Sequence, residues 1–268
     1  MQVASKQCVW SSGETGTVIE VVMTSATGLR IQFHFGGFRD KETTVDWGDG
    51  SESSFTSSER VTLSHTYVQH GAYTIRCKNL KFAGLRYLDG QSQYSYDAAI
   101  VSFVDYDGTV TGSSSGAFKK CVNLKRGILP NCTWMGQRDF AYCTALEEVV
   151  LGNCTVFYDG TFQGCTALSK YTAGSTGQCW SYVWKGCTSL TELKLGKVRQ
   201  LATQDFANTP LLKDIWISDK TVDQIRQVAA SGNIVAGYNA KFPWGASSDC
   251  RFHGTDGIVL GDGTVIRN

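Results

Sequence analysis

Proline is almost missing from this chain of 268 residues (3 in all), and charge is sparse, at 18% charged residues and a formal net charge of +1. With no lysine/arginine run and no basic stripe, there is no electrostatic footprint for nucleic acid or an acidic membrane. No apolar stretch approaches the ~20 residues that a membrane helix requires. Residues 1–8 lack the apolar centre of a secretion signal. There are only 4 histidines, and GxSxG, HExxH, P-loop and dinucleotide fingerprints are all missing. No CxxC pair or Cys/His cluster of ligand spacing occurs, which argues against zinc. These deficits point away from an enzyme: no catalytic residue, no metal and no cofactor is expected.

What the chain has is glycine (29), cysteine (10) and a strict period. An aromatic residue recurs every 22 positions at Phe118, Phe140, Phe162, Trp184 and Phe206. Three residues after each stands Cys121, Cys143, Cys165, Cys187 or Thr209, and three further on Leu124, Leu146, Leu168, Leu190 or Leu212. A fixed period of this length marks a solenoid, whose turns bury their apolar faces only against one another. Leu146, Leu168 and Leu190 should therefore lie in adjoining layers of one column. After each leucine, apolar residues return at plus three and plus five: Val149 and Leu151, Leu193 and Leu195, Ile215 and Ile217, with weaker versions at Gly127/Leu129 and Tyr171/Ala173. This L-x-x-L-x-L pattern predicts a strand, and the F-x-x-C-x-x-L before it a short helix, since a spacing of three shares one helical face. The cysteines read as reduced, small buried residues in two columns, the second begun by Cys132 and Cys154. The F-x-x-C-x-x-L signature with its 22-residue period is similar to the BspA-type leucine-rich repeat family over 118–217. That resemblance implies a bacterial surface or secreted protein attached to host proteins, glycans or other cells.

Residues 17–24, 29–35, 43–47, 61–67 and 72–77 read as strands separated by turn signals. The motifs Val-Asp-Trp-Gly-Asp-Gly-Ser (45–51), His65-Thr66-Tyr67 and Gly71-Ala72-Tyr73-Thr74 resemble the polycystic-kidney-disease (PKD) type of immunoglobulin-like domain over about 17–79. Asp46, Asp49 and Gly50 could be a calcium loop, but turn geometry is the preferred reading, with His65 a packed strand-end residue. A Cys8–Cys77 bridge is left open.

The expected fold is mainly β with short helices. A PKD-like sandwich (1–80) leads through a linker and degenerate capping repeat (81–117) into five repeats (118–217). A C-terminal cap (218–268) follows, with a helix through Val222, Ile225 and Val228 stopped at Gly232 and a hairpin around 261–263.

Two outward regions are candidate binding sites. On the L-x-x-L-x-L strands, the first column is Arg126, Glu148, Lys170, Glu192 and Asp214, and the second ends in Lys194 and Trp216. Trp216 flanked by carboxylates suits stacking against a sugar ring or a protein hot spot; the competing reading packs it on the following helix. The loops 134–139, 158–161, 180–183 and 202–205 carry Trp134, Tyr158 and Trp180. The function expected is non-enzymatic adhesion at a cell surface, recognising a host or microbial protein or glycan, without nucleic acid or membrane insertion. The alternatives are a bacteriophage fibre or decoration protein in the virion, and an accessory module of a carbohydrate-degrading system.

Overall fold

The structure is a computed structural model that describes residues 15–84, 98–113, 115–152, 154–173, 175–202, 204–228 and 243–267. Cys8 and Gly232, named above, lie outside them. Seven strands come first: β1 (Thr17–Met23), β2 (Arg30–Gly36), β3 (Thr43–Asp46), β4 (Glu52–Phe55), β5 (Arg60–Thr66), β6 (Gly71–Lys78) and β7 (Phe82–Gly84). In β1, Ile19, Val21 and Met23 point inward while Glu20 and Val22 point out, the period of two that half-burial requires. β4 has no counterpart in the sequence reading, because its two serines carry no strand signal. The glycine-aspartate turn and the tyrosine motifs meet in one cluster. Trp47 stacks on His65 at 4.8 Å, and the Tyr67 and Tyr73 rings stack at 3.9 Å. Tyr67 donates to the Trp47 carbonyl at 3.0 Å, and His65 pairs with Asp49 at 2.8 Å. Asp46 accepts from Gly48 N–H and Asp49 from Ser51 N–H, so both carboxylates serve their own turn.

The chain then coils. Its strands are β8 (Ile100–Asp105), β9 (Gly112–Ser113), β10 (Arg126–Ile128), β11 (Trp134–Met135), β12 (Glu148–Val150), β13 (Val156–Phe157), β14 (Lys170–Thr172), β15 (Ser175–Cys179), β16 (Glu192–Leu195), β17 (Lys197–Gln200) and β18 (Asp214–Ile217). Each turn therefore contributes to two parallel sheets. These continue the antiparallel strands without interruption: β8 pairs with both β1 and β10, and β9 with both β7 and β11. One sheet runs unbroken from β5 to β17, whereas the other is split between β12 and β14. The split falls where Tyr171 fills the position of Val149 and Leu193, its buried hydroxyl lacking a partner. After β18 come helix α1 (Val222–Val228), β19 (Arg251–His253), β20 (Gly257–Leu260) and β21 (Val265–Arg267). β19 lies parallel to β18, and β20 and β21 are antiparallel.

The expected repeat helices are not formed; among the described residues α1 is the one α-helix. The F-x-x-C-x-x-L segments are successive tight turns, in which Cys143 N–H reaches the Phe140 carbonyl at 3.1 Å and Leu146 N–H the Cys143 carbonyl at 3.1 Å. Alternate amides cross to the next coil instead: Phe118 N–H to Asp139 O at 2.8 Å, Phe140 to Thr161 at 2.9 Å, Phe162 to Val183 at 2.9 Å. Left-handed residues at Lys120, Tyr142, Gly164, Gly186 and Asn208 stop helix propagation once per coil. A second such column, also 22 apart, runs through Gly116, Arg138, Gly160, Tyr182 and Gln204.

Inside, the rings of Phe118, Phe140, Phe162, Trp184 and Phe206 stack at 5.2, 5.7, 6.4 and 5.7 Å, within 20° of parallel. Leu124, Leu146, Leu168, Leu190 and Leu212 are buried beside them. Among the described cysteines, three thiols of this column also hydrogen-bond. Cys143, Cys165 and Cys187 donate to the carbonyls of Phe118, Phe140 and Phe162 at 2.9, 3.0 and 3.1 Å. Two buried carboxyls staple neighbouring coils. Asp139 accepts from Ala117 N–H at 3.1 Å and from Gly136 N–H and Ser113; Asp205 accepts from Val183 N–H at 3.0 Å and Ala202 N–H at 2.7 Å.

These columns can be probed one position at a time. Gly186→Ala, with φ +76° and no neighbour of the new Cβ nearer than 3.7 Å, should cost about 1 kcal/mol of backbone strain in urea unfolding. Gly164→Ala adds a Cβ 2.7 Å from the Tyr142 ring and should cost at least about twice as much. Burial pushes the Asp139 carboxyl up to about 7, against the hydrogen bonds that lower it. The folded state thus holds its proton more tightly than the unfolded chain, whose aspartates titrate near ~3.9. Its contribution is complete below about pH 4 and is lost as pH rises through about 7. Burial raises Asp105 and Asp205 as well, so Asp139→Asn should flatten, not abolish, the fall in melting temperature between pH 4 and 8. An unchanged slope would contradict this role.

Candidate functional site

The L-x-x-L-x-L face presents the two expected columns, in register 22 apart. Most of its charges are paired within the face. Arg126 pairs with Glu148 at 2.8 Å, and Lys194 with Glu192 at 3.0 Å. Asp214 takes two hydrogen bonds from Arg251, at 2.7 and 2.6 Å, and one contact from His253 at 2.7 Å. Burial opposes ionisation of Asp214, but Arg251 and His253 outweigh it and hold the carboxyl below its usual range.

Trp216 is flanked from both neighbouring strands. His253 stacks on it at 4.4 Å and 6°, and the Lys194 ammonium lies 5.5 Å from its ring centroid. A sugar stacking on Trp216 would have to displace one of them. His253 and Arg251 arrive from β19, 37 residues beyond their partners, and no local signal in the sequence announces them.

The other candidates lie together on the outer face of the unbroken sheet. They are strand residues or follow a strand directly, not members of closing loops. Trp134 is on β11, in register with Gly112 and Val156. Its indole lies against the Gly112 backbone, where a Cβ would fall 2.6 Å from the ring. Tyr158 follows β13 and Trp180 follows β15, the two rings stacking at 5.7 Å. Inward residues Met135, Phe157 and Cys179 alternate with them and are buried. Trp134 is 39% and Tyr158 41% exposed.

Where this face meets the antiparallel strands there is a cleft of about 480 Å³. It is lined by Gly36, Gly37, Ser58, Glu59, Arg60, Lys81, Thr111, Gly112 and Trp134. The sequence points to Trp134 but to none of the others, because they come from distant strands. Among the described residues no group of three His, Cys, Asp or Glu could hold a metal, and no helix is long and apolar enough to cross a membrane.

A family model, "BspA type Leucine rich repeat region", matches residues 92–179 and 111–234, together more than half of the chain. A crystal structure of a leucine-rich repeat protein from T. pallidum is similar at 19% identity and a TM-score of 0.41, over 51% of this chain and 64% of that one. The match therefore spans less than two thirds of that protein's length. No curated protein matches. The coil, its column of rings and thiols and the family match agree: this chain belongs to the BspA-type leucine-rich repeat family.

Proposed function

We propose that the protein is a non-enzymatic, surface-exposed adhesion module that recognises a host or microbial surface protein or glycan through the outer face of its unbroken sheet. Leucine-rich repeat proteins of this family are in general binding scaffolds, and the family suggests a surface or protein-binding role. The observation that carries the reading is the placement of Trp134, Tyr158 and Trp180. Three aromatic side chains from three successive coils stand on one rigid face, and two of them are already stacked. Large rings held in place lose little entropy on binding and supply most of the energy of a contact. The opposite face, with Glu148, Glu192, Lys194, Asp214 and Trp216, neutralises itself and plays a lesser part in this reading.

The first strands serve as a PKD-like base from which the coil grows, and residues 243–267 close its far end. That closure is what a solenoid needs to avoid an exposed edge. Adhesion of this kind places the protein at a cell surface.

The test is binding to arrays of glycans and extracellular host proteins, and to whole cells. The double variant Tyr158→Ala/Trp180→Ala should bind at least about tenfold more weakly, roughly 1.4 kcal/mol, whereas Glu192→Ala should leave binding intact. Equal binding by wild type and double variant, or loss caused by Glu192→Ala alone, would contradict the choice of face.

A further inference from the structure

The geometry points to the cleft beside Trp134 as a binding site for a single pyranose ring bearing a carboxylate, of the uronic or sialic acid kind. It rests on the adhesive reading above but makes a narrower claim, about one site and one ligand class.

The cleft's volume, about 480 Å³, falls within the range of about 300–1,000 Å³ found for small-molecule sites. Its composition is selective. Trp134 is the one large apolar side chain among the described lining residues; the rest of these are glycines, hydroxyls and charges. An aliphatic peptide side chain would find a single apolar wall. A pyranose has one apolar face and a polar rim, which is what one indole surrounded by hydroxyls and charged groups complements.

The floor is kept low by packing. A Cβ on Gly37 would fall 2.1 Å from the Thr43 hydroxyl, and one on Gly112 would strike the indole. The indole is thereby laid along the sheet at the mouth, with Val156 as its neighbour on the next coil. Ser58 and Thr111 bring hydroxyl-bearing side chains to the lining and Glu59 a carboxylate, groups of the kind that bond sugar hydroxyls.

Arg60 and Lys81 stand in the described lining together with Glu59. They come from different strands: Arg60 opens β5, and Lys81 precedes β7 with its ammonium 5.7 Å from the Phe38 ring. A cation held over a ring is already partly stripped of water and oriented. Lys81 in the same lining as the indole favours an anionic sugar over a neutral one, as lysine does for carboxylates generally. Beyond Trp134 the Tyr158–Trp180 pair lies on the same face, in line for further rings of a longer chain.

The experiment is saturation-transfer NMR and calorimetric titration of the whole protein with sodium D-glucuronate and with methyl β-D-glucopyranoside, at low and at high salt. Glucuronate should bind at least about tenfold more tightly than the neutral glycoside at low salt, and less so at high salt. Trp134→Ala should abolish saturation transfer from both sugars. Lys81→Met, which leaves the indole in place, should bring glucuronate down to the level of the neutral glycoside; it decides the matter if Trp134→Ala does not fold. No saturation by either sugar, unchanged binding in a folded Trp134→Ala variant, or an unchanged preference in Lys81→Met would each overturn the proposal. Because monosaccharides need only the cleft, a positive titration alongside a negative array would retain this site while rejecting the wider adhesive face.

Discussion

Stacking in register is the constraint on which the molecule depends. One coil cannot bury a phenylalanine alone; it can do so only if the next coil sets another ring above it, about one strand spacing away. The near-parallel rings from Phe118 to Phe206 satisfy that condition, and the other columns follow from it. A buried thiol reaches the carbonyl of the coil before it, a left-handed residue turns the chain at the same height in every coil, and outward side chains line up in rows. At the ends the rings change attitude: Phe103 meets Phe118 at 61°, and Trp244 meets Phe206 at 82°. Edge-on rings end the stack without offering a further flat face.

The period makes the coil, its interior columns and its register legible from residues alone, because identical neighbours at a fixed spacing leave few ways to pack. Three features are not legible. A spacing of three fits both a helix and a chain of tight turns; only the left-handed residues distinguish them, and Arg138, Tyr142 and Gln204 carry no glycine to advertise it. Strands of two residues, such as β11 and β13, are too short for a period-two signal, so Trp134 and Tyr158 look like loop residues in the sequence. The first coil is also out of phase: Ser102 pairs with Arg126, 24 residues on, whereas Gly112 pairs with Trp134, 22 on. Two additional residues at the corner beside Asp105 account for the difference, so stepping back by 22 gives a poor match there.

The same distinction governs the candidate sites. Side chains on adjacent coils are neighbours by periodicity, and the Arg126–Glu148 pair is foreseeable for that reason. Contacts made by chain that leaves the period are not. His253 covers Trp216 after a long excursion, and Arg60 and Lys81 reach the Trp134 cleft from strands that precede the repeats. Continuity between the antiparallel strands and the coil is what brings those groups together. A face built from both parts gains charge from one and aromatic surface from the other.

Removing one period tests the dependence on register most directly. Deleting residues 144–165 takes out one whole coil and rejoins the ring column. It should leave a protein that unfolds cooperatively in urea, with a smaller m-value because less surface is exposed. Deleting residues 144–154 instead removes half a coil, more than a corner can absorb; it sets Phe162 half a coil after Phe140 and should abolish the cooperative transition. Two deletions of indistinguishable stability would mean that register does not hold this molecule together.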